Sequence, residues 1–231
     1  MTTYTPITAW SYSRYEVWAQ CPRKAYYKFV AKYPEGPKST ALVRGIDAHE
    51  VCAKIYRGEW SDSEAVSLGW RQLLAKHKSF YGPDLEAELQ LAFDKDWAPT
   101  DWFSKQTVFR CAFDGMAFTP HSTTLLIKEH KTGKKWPGHV EQAGLYAMVG
   151  SLVVPDARKF VVDVQYLDVP VTRNDAVMRV EFDQEGIFKQ AVKWEARSTE
   201  MLADTEFPTR AGVHCRWCPY RNSAGGPCHL G

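Results

Sequence analysis

The chain has 231 residues, enough for one large domain or one domain with a small appendage. With 45% hydrophobic and 24% charged residues and no low-complexity tract, the composition excludes a disordered or fibrous polypeptide. A net charge of +2 excludes a protein that binds nucleic acid by bulk basicity; only local clusters, Arg23, Lys24 and Lys28 or Lys128, Lys131, Lys134 and Lys135, could serve that purpose.

Ser11 to about Lys32 reads as an aromatic-rich helix, with Tyr15, Trp18 and Ala19 on one face and Pro22 as an irregularity. Residues 34–39 read as a loop, and Thr40 to about Gly58 as a helix carrying Gly45, His49 and Glu50. A Ser-Asp-Ser-Glu start signal opens a further helix, Ser61 to Lys78. Tyr81 to Asp101 has mixed signals and reads as partly helical. The texture then changes: Thr107–Phe118 and Thr123–Lys131 read as strands joined by a turn at Pro120-His121-Ser122. Gly138–Val153 has helical spacing, Lys159–Val169 and Val177–Phe182 read as strands, and Asp183–Leu202 as an amphipathic helix with Ile187, Val192, Trp194 and Met201 inward. The tail from Phe207 is rich in Cys, Pro and Gly. This order predicts an α/β fold, a mixed central β-sheet flanked by helices. The expected organisation is a single domain over 1–231: an N-terminal helical part (1–106), a β-β-α-β core (107–182), and a C-terminal helix with a cysteine-rich, metal-bound tail (183–231).

The N-terminus lacks a basic stretch followed by an apolar core, and the longest apolar run, near Ala147 to Pro155, is too short to span a bilayer. A soluble, cytoplasmic protein with no membrane partner is expected. In a reducing compartment its six cysteines suit metal ligation or burial better than disulfides.

The chemistry concentrates at Glu129-His130-Lys131-Thr132-Gly133. Residues i and i+2 of a strand share a face, so Glu129 and Lys131 reach into one pocket. Asp114 ends the preceding strand. Two acids can hold a divalent metal, and the lysine can sit beside a phosphate or a water, a set suited to phosphodiester hydrolysis. An acid-x-lysine pair alone is commonly a surface ion pair. Asp114, the turn at Thr132-Gly133, and Gln142 with Tyr146 on one face of the next helix distinguish this one. A second group is Cys215, Cys218 and Cys228, with Cys21 as a fourth ligand from the other end of the chain. Four thiolates suit zinc as well as an iron–sulfur cluster, and His214 and His229 could compete. Cys52 and Cys111 read as small buried hydrophobes.

Gly45 with His49, Asp114-Gly115, Glu129-x-Lys131-Thr132-Gly133 and Gln142-x-x-x-Tyr146 together resemble the RecB-like branch of the PD-(D/E)xK nuclease superfamily, over Ser11 to Cys228. The resemblance implies a restriction-endonuclease-like core. It implies that Asp114 and Glu129 bridge Mg²⁺ or Mn²⁺, with His49 through its imidazole and His130 through its backbone carbonyl as further ligands. Lys131 would orient or help deprotonate the attacking water, and Gln142 and Tyr146 would position DNA or Lys131. The second acid is Glu129 where aspartate is commoner. Cys21-Pro22, and a cysteine cluster preceded by Phe207-Pro208, imply a structural [4Fe–4S] cluster on Cys21, Cys215, Cys218 and Cys228, with zinc as the alternative occupant. CRISPR-associated adaptation nucleases and the nuclease part of some bacterial recombination complexes share that arrangement. The implied activity is metal-dependent DNA cleavage, as an exonuclease acting at ends in recombination, repair or phage DNA processing, in a bacterial or phage-infected host cytoplasm. No G-x-x-x-x-G-K-[ST] occurs, so unwinding would come from a helicase or recombination protein. The alternative is a catalytically silent DNA-binding or scaffold subunit of a nuclease complex.

Overall fold

β-branched and aromatic runs bounded by turn residues form strands because their side chains pack well on a pleated surface. Five such runs form one sheet in the computed structural model, which describes residues 3–61, 63, 85–170 and 172–230. They are β1 (Glu86–Phe93), β2 (Phe109–Thr119), β3 (Thr124–Lys131), β4 (Lys159–Tyr166) and β5 (Val177–Phe182), in the spatial order β1-β2-β3-β4-β5. β2 and β3 form an antiparallel hairpin, β3 and β4 run parallel, and β4 and β5 are antiparallel. A parallel pair needs a crossover, and the helix Gly138–Val153 supplies it. The expected mixed sheet flanked by helices is therefore the architecture of the protein.

Three expectations change. Residues 86–93 are a strand and not partly helical. Glu, Ala, Leu and Gln favour helices one by one, but pairing in the sheet and burial of Ala92 and Phe93 override so weak a preference. The long helix expected from Ser11 divides into α1 (Tyr12–Gln20), α2 (Pro22–Ala25) and a π-helical turn, Tyr26–Val30. Cys21 is extended at the break, and Pro22, which has no N–H to continue α1, starts α2 at its first position. Val192 is exposed, whereas Ile187, Trp194 and Met201 of the same helix are buried as expected. The expected helix 61–78 falls outside the described residues apart from positions 61 and 63.

Two compact units interleave along the chain. One comprises Met1–Lys38, Leu91–Cys111 and Lys193–Gly231. Its core explains much of the tryptophan content: Trp10 stacks on Trp194 with ring centroids 6.0 Å apart and tilts against Phe109 at 4.5 Å. The other comprises Ser39–Gln90 and Ala112–Val192. It holds α3 (Thr40–Tyr56), whose buried Ala48, Val51 and Cys52 pack with Leu167. It also holds α4 (Gly138–Val153), buried continuously from Gln142 to Gly150. A Cβ at Gly150 would stand 2.7 Å from Leu125 and 2.8 Å from Ile127, so the glycine lets α4 lie close on β3. The last helix, α5 (Gln184–Ala203), contributes to both units. Among the described residues, no helix is long and apolar enough to cross a membrane.

Candidate active site

The β2–β3 ladder runs from Thr119 opposite Thr124 to Gly115 opposite Lys128. The next residue on each strand is an acid, Asp114 and Glu129, and both are buried, at 6% and 5% exposure. Asp114 Oδ2 accepts the backbone N–H of His130 at 2.5 Å, so the carboxylate itself stitches the end of the hairpin. Its Oδ1 lies 2.9 Å from His49 Nδ1 on α3. On the neighbouring strand Lys131 Nζ donates to Glu129 Oε1 at 2.6 Å. Gln142 Nε2 donates to the same oxygen at 3.0 Å and also lies 3.0 Å from the Tyr146 hydroxyl. One buried amide thus ties α4 to Glu129. Gln142 is thus held between Glu129 and Tyr146.

The supports of the site are equally local. Ser39 caps α3, its Oγ accepting the Leu42 N–H at 3.2 Å. Gly45 lets α3 approach the turn after Lys131, since a Cβ there would stand 3.3 Å from Thr132 Oγ1. The Lys131 carbonyl accepts the Leu167 N–H at 2.8 Å, and the Gly133 N–H donates to Asp168 Oδ2 at 2.6 Å. Gly133 has φ +88, a left-handed value that suits glycine. Arg44 Nη1 donates to the same Asp168 oxygen at 2.9 Å, fastening the turn to α3. The His130 ring is fully buried, with Tyr56 Oη 2.8 Å from its Nε2. Burial pushes its pKa down to about 4, so this imidazole is neutral.

Burial works against every charge in this group. Burial pushes the Glu129 carboxyl up, Asp114 pushes it further, and Lys131 only partly opposes them, leaving it at about 7. Burial also works against the Asp114 carboxylate, but the hydrogen bond and charge of His49 hold it below the usual range. Burial opposes the His49 imidazolium too, yet Asp114 prevails and raises its pKa to about 9. Such a set takes up a cation readily, because a divalent ion can replace the proton and relieve the repulsion between acids.

A model of the PD-(D/E)XK nuclease superfamily matches residues 9–223. The chain belongs to that superfamily. It is thereby placed among metal-dependent nucleases, and the donors above, oxygen-rich with one imidazole, fit a divalent metal. Among solved structures, this nuclease is similar to a candidate exonuclease from Eubacterium rectale, with TM-score 0.55, 12% identity, and 97% of this chain and 90% of that chain covered. Weaker likenesses are SSO0001, with TM-score 0.42, 15% identity and coverage of 97% and 88%, and LHK-Exo in complex with dAMP, with TM-score 0.41, 12% identity and coverage of 87% and 91%. At 12% identity the first of these likenesses concerns the fold alone. No curated protein matches the sequence significantly.

Beside the candidate site lies an acid that sequence reasoning missed. Among the described residues, one ligand atom each from His49, Glu88 and Asp114 lie within 4.8 Å of one another. Glu88 lies on β1, with φ +52 in the left-handed region. The helix-forming composition of residues 86–93 concealed it; the one available signal was the alternation of Glu86, Glu88 and Gln90 with Ala87, Leu89 and Leu91.

In the other unit, Cys21, Cys215, Cys218 and Cys228 line one cavity, together with Lys24 and Tyr27. Cys21 occupies the break between α1 and α2, and its Sγ accepts the Arg210 N–H at 3.5 Å. Cys215 and Cys218 bracket a 3₁₀ turn, with the Cys218 N–H on the Cys215 carbonyl at 3.2 Å. Cys228 is brought back by its N–H to the Tyr220 carbonyl at 2.9 Å, after Gly225 turns the chain at φ +76. His214 shares the cavity wall.

Proposed function

We propose that the protein is a Mg²⁺- or Mn²⁺-dependent deoxyribonuclease of the RecB-like type, an exonuclease that hydrolyses phosphodiester bonds at DNA ends. The observation that carries this reading is the pairing of Lys131 with Glu129 at 2.6 Å beside buried Asp114, at the open end of the β2–β3 ladder. Asp114, Glu129, His49 and the His130 backbone carbonyl would hold the cation. The bound ion would lower the pKa of water and offset charge on the scissile phosphate. Lys131 supplies a cation from the chain itself: its ammonium hydrogen-bonds the attacking water and a phosphate oxygen as negative charge builds there. Gln142 and Tyr146 keep Glu129 aimed at the pocket. The work of such an enzyme lies in recombination, repair or phage DNA processing in a cytoplasm, with a helicase or recombination protein supplying unwound ends.

We further propose that Cys21, Cys215, Cys218 and Cys228 hold a [4Fe–4S] cluster that closes the tail. Their convergence on one cavity from positions 21 to 228 supports this. Zinc is the alternative occupant of the same four thiolates.

The decisive experiment incubates linear, nicked and circular DNA, labelled at the 5′ or 3′ end, with the full chain in Mg²⁺ or Mn²⁺. Linear DNA should shorten from its ends, and Lys131→Ala should lower the rate by at least about 10²-fold while metal binding persists. Cleavage by that variant at the wild-type rate would sink the mechanism. Iron and acid-labile sulfide in protein purified without oxygen test the cluster.

A further inference from the structure

We propose that Glu88 is an additional metal ligand of this nuclease, forming with His49 and Asp114 a divalent-cation subsite on the β1 side of Asp114. The proposal rests on the nuclease reading and extends it to a residue outside every motif that reading used.

Three donor atoms, one from each side chain, already lie within 4.8 Å of one another. Around Mg²⁺ with bonds of about 2.1 Å, adjacent ligands stand about 3.0 Å apart and opposite ones about 4.2 Å apart. Small side-chain rotations therefore close the three groups on one ion. Two carboxylates and one imidazole are a hard donor set suited to Mg²⁺ or Mn²⁺. Glu129 is not part of this trio, and its Oε1 is engaged by Lys131 and Gln142. Asp114 thus stands between two groups, with His49 and Glu88 on one side and Glu129 with Lys131 on the other. Among the described residues no hydrogen bond or ion pair engages the Glu88 carboxylate, which leaves its oxygens available to an ion. The three groups come from separate elements, β1, β2 and α3, so an ion bound there would fasten all three together.

The test is a Mn²⁺ titration of the full chain, followed by the electron paramagnetic resonance of free Mn²⁺ and by the Mn²⁺-induced rise in Tm. Glu88→Gln should raise the Mn²⁺ Kd at least about ten-fold and shrink the Tm rise, while its Tm in EDTA stays at or above wild type. Glu86→Gln, an exposed neighbour on β1, should titrate as wild type. Should Glu88→Gln fail to fold in EDTA, Glu88→Asp, which keeps the charge on a shorter arm, decides by the same titration. Mn²⁺ binding by the folded variant within about two-fold of wild type would overturn the proposal. Failure of the underlying reading has a separate signature: a wild-type chain that cleaves no DNA in Mn²⁺.

Discussion

The two faces of β3 bury charge in opposite ways. On one face Lys128, Asp163 and Arg179 lie side by side in register across β3, β4 and β5. Lys128 donates to Asp163 at 2.8 Å, and Arg179 embraces the same carboxylate at 2.7 and 2.8 Å. Burial opposes ionisation of Asp163, but Arg179 and Lys128 hold its pKa below the usual range. On the other face, Glu129 shares its lysine with a site that also contains Asp114 and Glu88, and its pKa rises to about 7. Burial is common to both faces. The difference is surplus: a carboxylate saturated by cations holds strands together, whereas acids that outnumber their cations invite an ion.

The sharpest way to break this comparison is Asp163→Ala. It removes the buried carboxylate to which Lys128, only 3% exposed, donates, and should destabilise the fold by about 3–5 kcal/mol in urea denaturation. The folded fraction should still cleave DNA at close to the wild-type rate. Loss of cleavage without loss of stability would reverse the roles assigned to the two faces.

A second test uses pH. The Glu129 pKa lies above its ordinary value, so the stability it contributes is present below the usual glutamate range and lost as pH rises through about 7. The His49 pKa is raised as well, so its contribution is present below about 6.5 and lost as pH rises through about 9. In EDTA the Tm should therefore fall by several degrees between pH 6 and pH 9. Mn²⁺ competes with those protons, so the stabilisation it confers should grow over the same interval. A flat Tm in EDTA would mean that the acid surplus is not felt.

The smallest effect is expected from Gln142→Ala. It removes the amide that ties α4 to Glu129 and should lower the cleavage rate about ten-fold, as loss of a ligand's supporting partner typically does. The pH dependence of cleavage should move with it, because Glu129 then loses a hydrogen bond to its charged form. An unchanged profile would leave Gln142 as a packing residue only.

Most of the candidate site's geometry was legible because it obeys short-range rules. Glu129 and Lys131 share a face by the two-residue period of a strand, and Gln142 meets Tyr146 by the four-residue period of a helix. Asp114 was expected at the end of its strand; it lies in the middle of β2, one residue past the last pair with β3. What escaped lay where local preference and tertiary context disagree. Residues 86–93 are written in helix formers, and they became a strand only because β2 offered an edge to pair with. Glu88 escaped with them.

By itself the sequence determined the periodicities, the hairpin, the crossover helix and the residue types along β2 and β3, since backbone sterics and side-chain alternation set these within a few residues. Only the tertiary structure decided that α3 brings His49 to 2.9 Å from Asp114, that Glu88 joins them, and that Cys21 meets Cys215, Cys218 and Cys228 around one cavity. Those meetings depend on how whole elements pack to bury apolar surface, which no short stretch of sequence encodes.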